Sequence, residues 1–194
     1  MAVPVPKFTP EEYLDLERKA EFKSEYWLGE VFAMAGVSLP HSRIQGNITR
    51  HAGNLLAGRP CEIHGADLKV GIHRGKRGFA YPDAFIHCGP PEFVDHHQDV
   101  VTNPIAIFEV LSPSTETIDR GRKFNEYRRL DSLRHYILVS QDEMLVEHFA
   151  RQDGGRWLMS PLTGTDLLRL ADIGLELPVS AIYERVEFPP EADS

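Results

Sequence analysis

The chain has 194 residues, 42% apolar and 26% charged, which suits one folded domain and excludes a disordered polar tail. A formal net charge of −8 excludes attraction of nucleic acid by bulk charge, so any polynucleotide contact needs a local basic patch or a bound metal. No apolar run reaches the roughly 18 residues of a membrane helix, and residues 1–6 have neither the basic start nor the apolar stretch of a secretion signal.

A single domain is expected over residues 8–186, with flexible ends at 1–7 and 187–194. Thr9-Pro10-Glu11-Glu12 predicts a helix start, with a hydroxyl cap, an early proline and two acids near the positive end of the dipole. Tyr13, Leu14 and Leu16 are its expected buried side. Residues 24–35 predict two strand pieces with a turn or bulge at Gly29. Residues 40–57 predict a helix with Ile44, Ile48 and Leu55 in one stripe, and His41 falls on that stripe as a core histidine. Short strands are expected at 61–64, 67–72 and 79–87, with the basic loop 73–78 joining the last two and a long loop at 89–103. Cys61 and Cys88 have no metal-ligand spacing and read as small apolar residues in a reducing cytoplasm.

Residues 105–111 are almost wholly apolar and predict a central strand buried on both faces. Ser112 to Thr115 ends it and caps a helix over 116–130. Strands at 135–140, 144–150, 157–159 and 173–177 and a closing helix at 178–183 complete the reading.

Glu109 is the only charge in its seven-residue apolar run. A carboxylate there loses hydration at a cost of several kcal/mol unless a cation, a hydrogen-bond network or a metal compensates. Asp83 repeats the pattern in the strand 79–87, where alternation places it on the face of Tyr81 and Phe85. If the two strands are neighbours, the acids converge, and two acids sharing a site repel unless a hard dication relieves them. Lys123 shares a helix face with Tyr127 and Leu130, so its ammonium borders the buried side; a surface lysine paired with Glu116, Asp119 or Glu126 is the competing reading.

Pro82-Asp83, then Glu109 to Thr115, then Asp119, Lys123 and Tyr127, preceded by Glu25, Gly29-Glu30-Val31 and His41, resemble the Uma2 family of the PD-(D/E)XK nuclease superfamily. The resemblance spans residues 8 to 186. It implies an α/β restriction-endonuclease-like fold: a three-layer core of order α-β-β-β-α-β with a central mixed sheet flanked by helices, plus an added N-terminal strand pair and C-terminal hairpins. It implies Asp83 and Glu109 as ligands of Mg2+, or Mn2+ in its place, Glu25 as a further acid and Lys123 as the catalytic lysine. Leu111 occupies the position where the superfamily carries its lysine, so the lysine is relocated to the following helix. The implied activity is metal-dependent hydrolysis of DNA by a cytoplasmic homodimer, and the alternative is an inactive member serving binding or assembly.

Asp95-His96-His97 has the residue types of a metal site but no companion motif. The basic stretch Arg74 to Arg77 reads as a solvated hairpin tip, and Ser112 and Ser114 have no histidine and acid nearby in sequence.

Overall fold

The computed structural model describes residues 7–188; residues 1–6 and 189–194, the bulk of the two ends expected to be flexible, lie outside the described residues. Thr9 caps α1 (Pro10–Glu17): its hydroxyl accepts from the Glu12 amide while the Glu12 carboxylate accepts from the Thr9 amide. Tyr13 and Leu14 are buried as expected, but Leu16 is exposed. Glu17 turns inward instead, where Ser24 and Tyr81 hydroxyls donate to it.

β1 (Ser24–Trp27) and β2 (Glu30–Ala33) form a hairpin whose turn residues, Leu28 and Gly29, both have positive φ. α2 (Leu39–Leu56) starts at the Ser38 cap. Its buried stripe is Ile44, Ile48, Ala52 and Leu56; Leu55, expected in that stripe, is half-exposed because Ala52 and Leu56 continue the four-residue step from Ile48.

β3 (Cys61–Gly65), β4 (Lys69–Ile72), β5 (Gly78–Ala80) and β6 (Ala84–Cys88) follow. The strand expected over 79–87 is interrupted at Tyr81-Pro82-Asp83, and its two halves belong to different sheets. Pro82 has no amide to donate to a ladder, so the chain crosses between sheets there. Asp83 therefore sits in the crossing, not within a strand. β7 (Val100–Val101) lies in the segment read as loop and pairs with β4; two residues are too few to leave a periodic signal.

β8 (Pro104–Leu111) precedes α3 (Glu116–Ile118), which runs through a π-helical turn at Asp119–Lys123 into α4 (Phe124–Tyr127). β9 (His135–Ser140), β10 (Leu145–Arg151) and β11 (Trp157–Thr163) complete one sheet; β12 (Leu167–Leu170) and β13 (Leu175–Pro178) pair separately, and α5 (Val179–Ile182) closes the fold.

The central sheet has six strands in the order β11-β10-β9-β8-β6-β3. β8 pairs antiparallel with β6 and parallel with β9, so the sheet is mixed. Taken in order, α2, β3, β6, β8, α3–α4 and β9 give the expected α-β-β-β-α-β core. The added strand pair is larger than expected: β1 and β2 belong to a five-stranded sheet of order β2-β1-β5-β4-β7.

One face of the central sheet packs Phe108, Val110 and Ile137 against Ile44 and Ile48 of α2. The other packs Ile107, Leu111, Tyr136 and Leu138 against Trp27, Val70 and Tyr127. Alternation along β8 thus points Glu109 toward α4 and the second sheet.

Cys61 and Cys88 are not the separate thiols expected. They stand opposite each other in the β3–β6 ladder, with Cα atoms 4.0 Å apart, and form a disulfide. Antiparallel pairing closes the 27-residue gap that separates them in sequence. Among the described residues no helix is long and apolar enough to cross a membrane.

Candidate active site

Asp83, Glu109, Lys123 and Glu25 line one cleft of about 510 Å³. Each comes from a different element: the sheet crossing, β8, the π turn and β1. Asp119 and His41 line it too.

Glu109 is 3% exposed and accepts hydrogen bonds from Lys123 Nζ at 3.3 Å and the Tyr127 hydroxyl at 3.1 Å. Lys123 and Tyr127 reach it together because they lie four residues apart on one helical face, as the spacing predicted. Lys123 is itself buried, which excludes the surface reading. Its ammonium lies 3.2 Å from Glu25 Oε1, 3.3 Å from Glu109 Oε1 and 3.2 Å from Asp119 Oδ1. The contact with Asp119 is an ion pair without hydrogen-bond alignment, and Asp119 Oδ1 is left buried with no hydrogen-bond donor.

The π turn sets this arrangement. It carries Asp119 at its start and Lys123 at its end, and it is the kind of local expansion that recurs at functional sites. The Tyr136 hydroxyl donates to the Asp119 carbonyl and anchors the turn on β9.

Glu25 is held by two donors, the Trp27 indole at 3.1 Å and the Tyr81 amide at 3.2 Å. Asp83 caps the ladder where β6 begins. Its Oδ2 accepts from the Val110 amide at 2.7 Å, and its Oδ1 faces His41 Nε2 at 2.8 Å and the Gln45 amide at 3.3 Å. His41 is buried on the α2 stripe as expected, but it serves the cleft as well as the core.

Burial pushes the Glu109 carboxyl well above the usual carboxylate range; Lys123 pulls against this, while Asp119, Asp83 and Glu25 add to the rise. Burial also raises Asp119 against the pull of Lys123. Burial disfavours the charge on Lys123, but Glu109, Glu25, Asp119 and Asp83 outweigh it and hold the ammonium protonated. Three carboxylates therefore share one lysine, with Asp83 adding to its field, and this excess of acids over cations is the electrostatic signature of the cleft.

The donor set consists of carboxylate oxygens, the chemistry that magnesium or manganese prefers. The undonated Asp119 Oδ1 gives one further oxygen for such an ion, so the residues present fit the dication the family implies. Among the described residues, two three-residue groups with ligand atoms within 4.8 Å of one another lie outside this set of acids, at Glu62, His64, His87 and at Asp95, His96, His97.

Sequence reasoning offered Asp119 only as a surface partner of Lys123 and as part of the family motif; the pair exists, but it is buried in the cleft. Arg122 at the mouth escaped that reasoning; this guanidinium pairs with Glu30 at 3.0 Å and lies over the Phe32 ring. Other motifs have local partners. Arg77 binds Glu126 through two nitrogens, at 2.6 and 2.8 Å. Arg18 binds Asp95 and Asp99. The Ser112 hydroxyl contacts only Ser114 and Thr115 hydroxyls.

A mixed central sheet with Glu109 on β8 and Asp83 at the entry to β6, beside a helix that carries a buried lysine, defines a restriction-endonuclease-like α/β protein. A solved structure described as a "putative nuclease belonging to DUF820" from Anabaena variabilis superposes with a TM-score of 0.74 at 18% identity, covering 91% of this chain and 98% of that one. The profile of the Uma2 family, described as "Putative restriction endonuclease", matches residues 10–180, and the chain belongs to that family. Two uncharacterized proteins of Synechocystis sp. (strain ATCC 27184 / PCC 6803 / Kazusa) are similar along most of their length. One is 37% identical over 96% of this chain and 97% of its own; the other is 36% identical over 80% and 88%.

Proposed function

We propose that the chain is a metal-dependent endonuclease hydrolysing phosphodiester bonds of DNA. In this reading Asp83 and Glu109 hold magnesium, or manganese in its place, Glu25 is a supporting acid and Lys123 is the catalytic cation. The observation that carries the reading is the Lys123 ammonium set among three carboxylates in a cleft that Asp83 also lines.

A bound dication would polarise the scissile phosphate and lower the pKa of an attacking water. The chain's own groups then have separate tasks. The Val110 amide and His41 fix the orientation of Asp83. The Tyr127 hydroxyl steadies Glu109 Oε1. Trp27 and the Tyr81 amide do the same for Glu25. Lys123, kept protonated by its neighbours, supplies positive charge where negative charge grows on the phosphate oxygens. Arg122 at the mouth offers a planar donor to the substrate backbone. The test is Mg2+-dependent nicking of plasmid DNA; equal cleavage by wild type and Asp83→Ala removes the assignment.

One observation favours a second reading, a non-catalytic member that binds or assembles. Both oxygens of Asp83 and one of Glu109 already accept internal hydrogen bonds, so the cleft can stand without an ion. Calorimetric titration with Mg2+ and Mn2+ separates the two: no heat and no change in Tm at millimolar metal selects the second.

A homodimer belongs to the proposal, supported by the fully exposed edge strand β2. Light scattering giving a monomer mass at high concentration removes it. A cytoplasmic setting belongs to it as well, and the Cys61–Cys88 bond weighs against that setting because reducing compartments keep thiols free.

A further inference from the structure

We propose that Glu62, His64 and His87 form a second metal site, for zinc or a similar first-row transition dication, that ties the edge strand β3 to β6. None of the three residues lines the carboxylate cleft, and the inference stands whether or not that cleft cleaves DNA.

The register of the ladder assembles the group. Glu62 pairs directly with His87, and His64 lies two residues beyond Glu62 on the same face. The two imidazoles stack with centroids 5.0 Å apart and planes 7° from parallel. His64 Nε2 and His87 Nε2 each lie 4.0 Å from Glu62 Oε2, and one ligand atom from each of the three falls within 4.8 Å of the others. Bonds of about 2.0–2.2 Å to zinc require ligand atoms somewhat closer than this. A metal lies in the plane of each imidazole that binds it, so closing the site takes a turn of the partly exposed His64 ring out of the stack as well as a swing of Glu62, whose side chain is 72% exposed.

The second observation is an unmet hydrogen-bonding demand. His87 is 3% exposed and its Nδ1 has no partner; His64 Nε2 is buried with no partner either. A buried ring nitrogen without a partner has lost its bond to water and gained nothing in exchange. A metal at the shared point satisfies His64 Nε2 at once and explains why two histidines face a carboxylate at the end of a sheet. Two imidazole nitrogens and one carboxylate oxygen suit zinc, which takes nitrogen ligands readily, and suit magnesium poorly. Three protein ligands leave a fourth position for water.

The experiment titrates the intact, disulfide-bonded protein with Zn2+ against a chromogenic chelator, and with Co2+ for its visible ligand-field spectrum. Wild type is expected to bind zinc and to give tetrahedral Co2+ bands. His64→Ala, at a partly exposed position, is expected to lose at least about tenfold in zinc affinity and to lose those bands. Glu62→Gln, on an exposed side chain, serves as the variant with no risk to the fold and is expected to weaken binding in the same direction. Zinc binding of wild-type strength in both His64→Ala and Glu62→Gln, or no zinc binding by wild type, overturns the proposal.

Discussion

Lys123 Nζ lies 3.3 Å from Glu109 Oε1 in the interior, and the same ammonium is within 3.2 Å of Glu25 and Asp119. Removing the cation leaves three buried acids facing one another. Lys123→Met is expected to destabilise the fold by about 3–5 kcal/mol, the cost of breaking a buried ion pair from one side. Millimolar Mg2+ is expected to restore part of this loss if the cleft binds the ion. Urea unfolding with and without Mg2+ reads both effects, and an Mg2+-independent curve speaks against metal in the cleft.

Asp83 combines a structural bond with its proposed ligand role, and two substitutions separate them. Asp83→Ala frees the Val110 amide at the end of the ladder, which costs about 1–3 kcal/mol. Asp83→Asn keeps an acceptor oxygen for that amide and is expected to stay within about 1 kcal/mol of wild type. Both are expected to lose Mg2+-dependent cleavage. A fully active Asp83→Asn would show that its charge is not used.

His148 provides a pH test away from the cleft. His135 Nδ1 and His148 Nε2 lie 2.9 Å apart, and His135 Nε2 is 3.0 Å from Asp172. Burial first, and the neighbouring His135 second, pull the His148 imidazole down to about 4. In the unfolded chain it takes up a proton near pH 6.5. Between those values the unfolded state binds more protons, so stability rises with pH across that window. The fold is expected to lose on the order of 2 kcal/mol between pH 7 and pH 4.5 from this group. His148→Gln should flatten that part of the curve, measured as urea midpoints along the pH series.

The Cys61–Cys88 bond closes a 27-residue separation. In the chain-entropy account such a loop contributes about 3–4 kcal/mol. Reduction or Cys88→Ser is therefore expected to lower the urea midpoint with the fold intact. Thiol counting on protein from reducing cells reports whether the bond exists there.

How much was legible differs by element. β8 announced itself, because six apolar residues broken only by Glu109 have few alternatives to a buried central strand. The turn at Gly29 and the capped starts of α1 and α2 were also readable, since each rests on the local chemistry of glycine, hydroxyl or proline. The division of 79–87 between two sheets was not. Pro82 hinted at irregularity, but which partner each half would take depends on strands far along the chain. Leu16 and Leu55 misled for a related reason: apolar character says that a residue can be buried, and the packed neighbours decide whether it is.

Taken alone, the amino-acid sequence determined the buried strand β8, the isolated acids Asp83 and Glu109, and the helical face that joins Lys123 to Tyr127, because these follow from local periodicity and the high cost of an isolated charge in an apolar run; the core order came from the family resemblance. Only the tertiary structure decided that Lys123 stands between Glu25 and Glu109, that Cys61 meets Cys88, and that His87 joins the face of Glu62 and His64. Those are contacts between residues distant in sequence, set by strand pairing and by the π turn, and no local pattern encodes them.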